Sequence, residues 1–301
     1  VSQLSLLPDR RFWALFSTQF LGAFNDNLFK NAVVIMIAYR AMRVGPLDAE
    51  ALVALCAGLF ILPFFLFSAT AGQLADKVSK AALMRWAKAA EVGIMGLAAA
   101  GFVTGHLVLL LGVLFLMGLQ STFFGPAKYA VLPELLEESE LVGGNALVEM
   151  GTFVAILLGT IGGGLLIAID GQGPTLLAGA VVAVAILGWL TSLRIPKTAP
   201  GAPDLRVAWD PVRPTLETFR ATRANRPVFL SILGISWFWF LGASLLTVLP
   251  SYGKDLLHGE ALVVTFLLSL FCVGIALGSM LCERLSKERL ELGLVPFGSI
   301  G

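Results

Sequence analysis

Apolar positions along this chain run in long unbroken blocks, each closed by a short stretch holding Gly, Pro, Asp, Lys or Arg. A block that is apolar on every side and about 20 residues long is the pattern of a helix crossing a hydrocarbon core about 30 Å thick. The pattern predicts eight such helices, over 12–38, 51–75, 82–104, 106–130, 142–168, 174–194, 227–250 and 261–283, with the start of a ninth from Leu290. A half-helix leaves backbone groups unpaired in lipid, so the expectation is a membrane domain that continues beyond Gly301. The expected fold class is an all-α polytopic membrane protein.

Composition agrees with the pattern. At 57% hydrophobic and 14% charged residues, with a mean hydropathy of +0.86, the chain is matched to lipid and not to water. The net charge of +1 gives no reason to expect a nucleic-acid partner. The placement of charge says more than its sum. Of the 21 Lys and Arg residues, all but Arg40, Arg43, Lys254 and the intramembrane Lys30 fall at or near one face if the amino terminus is cytoplasmic. That bias predicts an N-in layout in an inner membrane.

The segment from Pro196 to Arg226 holds Pro, Arg and Asp with little apolar periodicity, and reads as a cytoplasmic linker. It divides the chain into a six-helix bundle over 1–195, the linker over 196–226 and a partial second bundle over 227–301. An internal echo supports two related halves. Asp76-Lys77-Val78-Ser79-Lys80 follows the second predicted helix, and Glu283-Arg284-Leu285-Ser286-Lys287 follows the eighth.

Cys56, Cys272 and Cys282 stand singly in apolar runs, which suggests packing and neither a metal nor a disulfide framework. No cleaved leader is read in the first residues. His106 and His258 fall in expected outer loops and lack the H-x-x-x-x-D acyltransferase pattern, and no phosphate-binding loop is present. No cofactor is expected, and any acyltransferase activity would have to reside beyond Gly301.

Chemistry concentrates in the first helix, where Asn25, Asp26, Asn27, Lys30 and Asn31 lie about 20 Å from Phe12. Charges at that depth must face protein or a water-filled space. Asp26 and Lys30 have the acid-first i, i+4 spacing of a pair, either as ligands for substrate or proton or as a lock on helix packing. Lys128 follows Gly125-Pro126, where proline frees a carbonyl, and either faces a cavity or snorkels to the interface. Asn145 and Glu149 share a face of the next helix, and Glu149 is placed to pair with Lys128, as structure or as a gate. Lys88 and Glu91 read as a snorkelling pair near the inner face. Gly159 and Gly163, and Gly274 and Gly278, have the spacing of close helix approach. Trp237 and Trp239 suit either packing or the wall of an acyl-chain path.

Gly72-Gln73-Leu74-Ala75-Asp76-Lys77-Val78-Ser79-Lys80 resembles the loop joining helices two and three of major facilitator transporters, with Ser79 in place of a glycine. The stretches Gln19 to Asn27, Phe124 to Tyr129 and Asn145 to Glu149 resemble the bacterial lysophospholipid transporter family, especially members fused to an acyltransferase and acyl-carrier ligase. The resemblance implies the major facilitator fold, truncated here to about eight helices and the start of a ninth out of about twelve. It also implies that Lys128 faces the same cavity as Asp26, where Asp26, Lys30, Asn25, Asn31, Lys128, Asn145 and Glu149 bind substrate. Gly72, Asp76, Lys77, Lys80, Glu283 and Arg284 then serve conformational change, and the two Gly pairs form a sliding seam between halves. The implied function is inward carriage of lysophospholipid, with membrane lipids and a fused or separate acyltransferase as partners. A proton-coupled exporter of drugs or metabolites and a membrane anchor for an acyltransferase are the competing readings.

Overall fold

The computed structural model describes residues 3–39, 44–208, 210, 212–252, 256–257, 261–286, 291 and 293–295. Arg40, Arg43, Lys254, His258, Lys287, Arg289 and Leu290 lie outside them. Among the described residues, ten α-helices follow in order: α1 Arg10–Tyr39, α2 Ala49–Lys77, α3 Lys80–Thr104, α4 Leu107–Ala130, the single turn α5 Leu132–Leu135, α6 Leu141–Ile167, α7 Gly173–Ser192, α8 Val212–Ala224, α9 Arg226–Ser251 and α10 Ala261–Ser286. Each of the eight apolar blocks is occupied by one long helix. Among the described residues, six helices are long and apolar enough to cross a membrane; α1, which carries Gln19, Asn25, Asp26, Asn27, Lys30 and Asn31, and α9 are not among the six.

Local chemistry sets the helix ends. Asp9 receives the Arg11 backbone N–H at 2.9 Å and its guanidinium at 2.7 Å, which holds the Asp9 carboxyl below the usual carboxylate range. Asp48 accepts from Ala51 N at 2.9 Å to open α2, and Ser79 accepts from Ala82 N to open α3. Gly105, at φ 66°, closes α3 in the left-handed region, and His106 Nδ1 then accepts from Leu109 N at 3.1 Å to start α4. His106 is thus an N-cap and not merely a solvated loop residue.

α1 packs on α6 and α7, α2 on α4, and α3 on both α4 and α7; α10 packs against α6. Two apolar cores result. One joins Phe29, Met36, Leu52, Phe102, Leu114 and Leu177; the other joins Phe12, Leu15, Met84, Phe124, Leu132 and Ile195. The second core holds the start of α1, α3 and α6 and the end of α2, α4 and α7, so Arg10, Lys77, Lys80, Lys128 and Arg194 gather at that end. Between the two cores lie the buried polar side chains of α1, α3 and α4.

Glycine lets certain helices nearly touch. A Cβ on Gly159 or Gly163 of α6 would collide with the Phe24 or Leu28 carbonyl of α1. The expected seam between halves is corrected here: this glycine face is turned to α1, while Gly274 and Gly278 of α10 have open space where a Cβ would stand. The segment read as a linker contains a helix, α8, where Val212, Leu216 and Phe219 share one side. Upstream of α8 the chain is strapped to the bundle. Ala202 N donates to Asp76 O at 2.8 Å, Ala208 N donates to Gln73 Oε1 at 2.8 Å, and Thr198 Oγ1 accepts from Ala81 N at 3.1 Å.

Candidate functional site

Three helices bring polar residues to one level of the bundle. Asn25 and Asp26 lie about 22 Å along α1, Lys88 and Glu91 roughly 12–17 Å along α3, and Gln120 and Ser121 about 20 Å along α4. Because α3 and α4 run in opposite directions, these depths coincide. Lys88 Nζ sits 2.5 Å from Glu91 Oε2, and both side chains are 2% exposed. Asn25 Nδ2 donates to Glu91 Oε1 at 3.0 Å, and Gln120 Nε2 reaches Glu91 Oε2 at 3.4 Å. Ser121 Oγ lies 2.9 Å from Asp26 Oδ2 and 3.1 Å from Gln120 Oε1, which makes the network continuous from Asp26 to Lys88. The Asn25 Oδ1 is buried without a hydrogen-bond partner among the described residues.

The expected Asp26 and Lys30 pair takes a different form. Asp26 bonds to Ser121, while the Lys30 ammonium lies over the Phe60 ring of α2 at 5.1 Å from its centroid. The Lys88 and Glu91 reading needs a larger correction: the pair is buried inside the bundle and does not snorkel. Its i, i+3 spacing turns both residues toward α1 and α4, and the Lys88 stem lies against Gly22, where only hydrogen leaves room for it.

Lys128 belongs to a second group nearer the end of α4, about 10 Å beyond Ser121. Its ammonium lies 4.4 Å from the centroid of the Tyr129 ring, and the Tyr129 hydroxyl donates to Glu149 Oε1 of α6. Tyr129 therefore takes the carboxylate that was expected to pair with Lys128. Asn145 is exposed and bonds back to Leu141 O of its own helix at 2.8 Å. Asn31 crosses from α1 to α6, donating to Thr160 O at 2.7 Å. Of the seven residues anticipated from the sequence, Asn25 and Asp26 join the central network, Asn31 links α1 to α6, Lys128 and Glu149 meet Tyr129 near the end of α4, Lys30 lies against Phe60 of α2, and Asn145 bonds within its own helix.

In the loop between α2 and α3, Ser79 and not Asp76 caps the helix; Asp76 is exposed and contributes its carbonyl to the strap. Lys77 is half-buried, and a Cβ on Gly72 would meet open space. Lys80 reaches Glu134 of α5 at 2.6 Å, tying the start of α3 to the turn after α4. In the second half Arg284 is exposed near the end of α10, and the Glu283 side chain lies outside the described residues. Trp239 of α9 stacks on Phe153 of α6, with ring centroids 6.0 Å apart at 16°, while Trp237 is 65% exposed.

Gln120, Ser121 and Tyr129 escaped the sequence reading as site residues. The available signal was a polar dipeptide, Gln120-Ser121, in the middle of an otherwise apolar helix. A separate cleft of about 570 Å³, bounded by Ile35, Met36, Gly164, Ile167, Asp170 and Pro174, opens at the other end of α1, α6 and α7. Its mostly apolar wall holds none of the network residues, so the polar cluster is the stronger candidate for recognising a charged group.

Comparison with known proteins adds two findings. The model of the Major Facilitator Superfamily matches residues 15–301. The chain is 30% identical over 290 residues to "Lysophospholipid transporter LplT" of Escherichia coli O139:H28 (strain E24377A / ETEC), covering 95% of this chain and 68% of that protein. The same identity and coverage hold for the protein of that name from Shigella boydii serotype 18 (strain CDC 3083-94 / BS512).

Proposed function

This chain belongs to the major facilitator superfamily, and from that premise we propose that it carries lysophospholipid, chiefly lysophosphatidylethanolamine, inward across a bacterial inner membrane. The amino terminus faces the cytoplasm, and the two bundles rock about a central site in alternating access. The observation that carries the reading is Asp26, a carboxylate on the longest apolar-flanked helix, held by Ser121 within a network that links three helices. A carboxyl group at that depth suits the ammonium of an ethanolamine headgroup, and Lys128, nearer the inner end, suits its phosphate. The similarity to the lysophospholipid transporters, which extends over 95% of the chain, supports this cargo over an unrelated polar solute. The apolar side of α9 around Trp239 then offers a wall for the acyl chain. An acyltransferase, fused or separate, would consume the imported lipid.

The test is uptake of labelled lysophosphatidylethanolamine into spheroplasts or proteoliposomes. Asp26→Asn and Lys128→Ala are each expected to lower uptake by about 10- to 100-fold, the worth of a charge-assisted hydrogen bond. Equal uptake by wild type and both variants would remove these residues from the site. A wild-type protein that exports a drug or metabolite and takes up no lysolipid would replace the cargo assignment. Adding a protonophore separates proton-driven carriage from movement down the lipid gradient.

A further inference from the structure

The helix α8 has no role in the transport reading, yet its composition is unlike that of the other described α-helices. Val212, Leu216 and Phe219 lie on one stripe at i, i+4 and i+7, and are 61%, 48% and 50% exposed. Arg223 continues the stripe, and Arg213 and Arg220 border it on one side at helical spacing. Arg226 follows at once as the first residue of α9. Glu217 is the one acid in α8, and it is bound to Arg213 at 2.8 Å.

We infer that α8 is a membrane-surface helix that seats its apolar stripe at the headgroup boundary and binds anionic phospholipid through Arg220, Arg223 and Arg226. Three observations select this occupant. The charge is complementary to phosphate, with four arginines against one glutamate across Val212 to Arg226. The position is fixed by continuity, because α8 leads within two residues into the apolar α9, whose Phe229 meets the edge of Phe219 at 6.0 Å. The other end is held by the strap, where Gln73 and Thr70 of α2 bond to Ala208. A helix tethered at both ends beside the end of a transmembrane bundle lies within reach of the lipid surface. Arginine stems can extend along the apolar stripe while their guanidinium groups stay at phosphate level.

The test uses the full chain with Cys56, Cys272 and Cys282 replaced by alanine and a fluorophore attached through Leu216→Cys, or through Thr218→Cys on the opposite side of α8. The protein is reconstituted in vesicles of phosphatidylcholine alone and of phosphatidylcholine mixed with phosphatidylglycerol, and quenching by aqueous iodide is measured. The Leu216 label is expected to become several-fold less quenched in the anionic vesicles, with the Thr218 label unchanged. Arg220→Gln with Arg223→Gln should abolish that difference, and Arg220→Lys with Arg223→Lys should retain it. Each arginine is expected to contribute about fivefold to the seating equilibrium. A Leu216 label quenched alike in both vesicles overturns the inference, and so does one equally shielded in both, which would mean that protein covers the stripe.

Discussion

Lys88 and Glu91 form an ion pair 2.5 Å long in which both side chains are only 2% exposed. Removing one partner leaves an uncompensated buried charge, so Lys88→Met is expected to destabilise the protein by about 3–5 kcal/mol, read as a lowered thermal midpoint in detergent. The double replacement Lys88→Met with Glu91→Leu should recover most of that loss, because the desolvation cost then disappears with the charges. If the double variant is as stable as wild type but fails in lysolipid uptake, the pair serves the transport cycle and not the fold. Asp26 was legible in the sequence because a charge stands out against an apolar helix. Glu91 was misplaced because its depth depends on which way α3 turns, and that is settled only when α1 and α4 pack against it.

At the scale of elements, the glycines of α6 and α10 have the same spacing but opposite surroundings. Gly159→Val should drive α6 from α1, at a cost of about 1–3 kcal/mol or more, because the new side chain would meet the Phe24 carbonyl. Gly278→Ala should be tolerated, or stabilise by up to about 1 kcal/mol through helix propensity, since open space receives the methyl group. Denaturation midpoints of the two variants check both, and equal losses would refute the assignment of the seam to α1 and α6. The helices themselves were legible, since each apolar block of spanning length became one helix. What the spacing could not reveal was the partner: close approach is a local property, whereas the choice of neighbour belongs to the bundle. α8 was missed for a different reason, as its stripe is short and sits among Pro and Arg residues that read as a linker.

For the whole molecule, the proposed rocking of two halves would require some contacts between α6 and the helices after the linker to open. The stack of Phe153 on Trp239 is one of them. With the native cysteines replaced, Phe153→Cys and Trp239→Cys joined by a short bifunctional reagent should halt uptake, and a cleavable reagent should restore it on reduction. Undiminished uptake by the cross-linked protein would show that this contact stays closed throughout the cycle. The arrangement of two apolar cores around a polar layer has one more consequence. Each core packs the helices on one side of that layer, so the Lys88 and Glu91 charges between them are held by neighbouring side chains of α1 and α4.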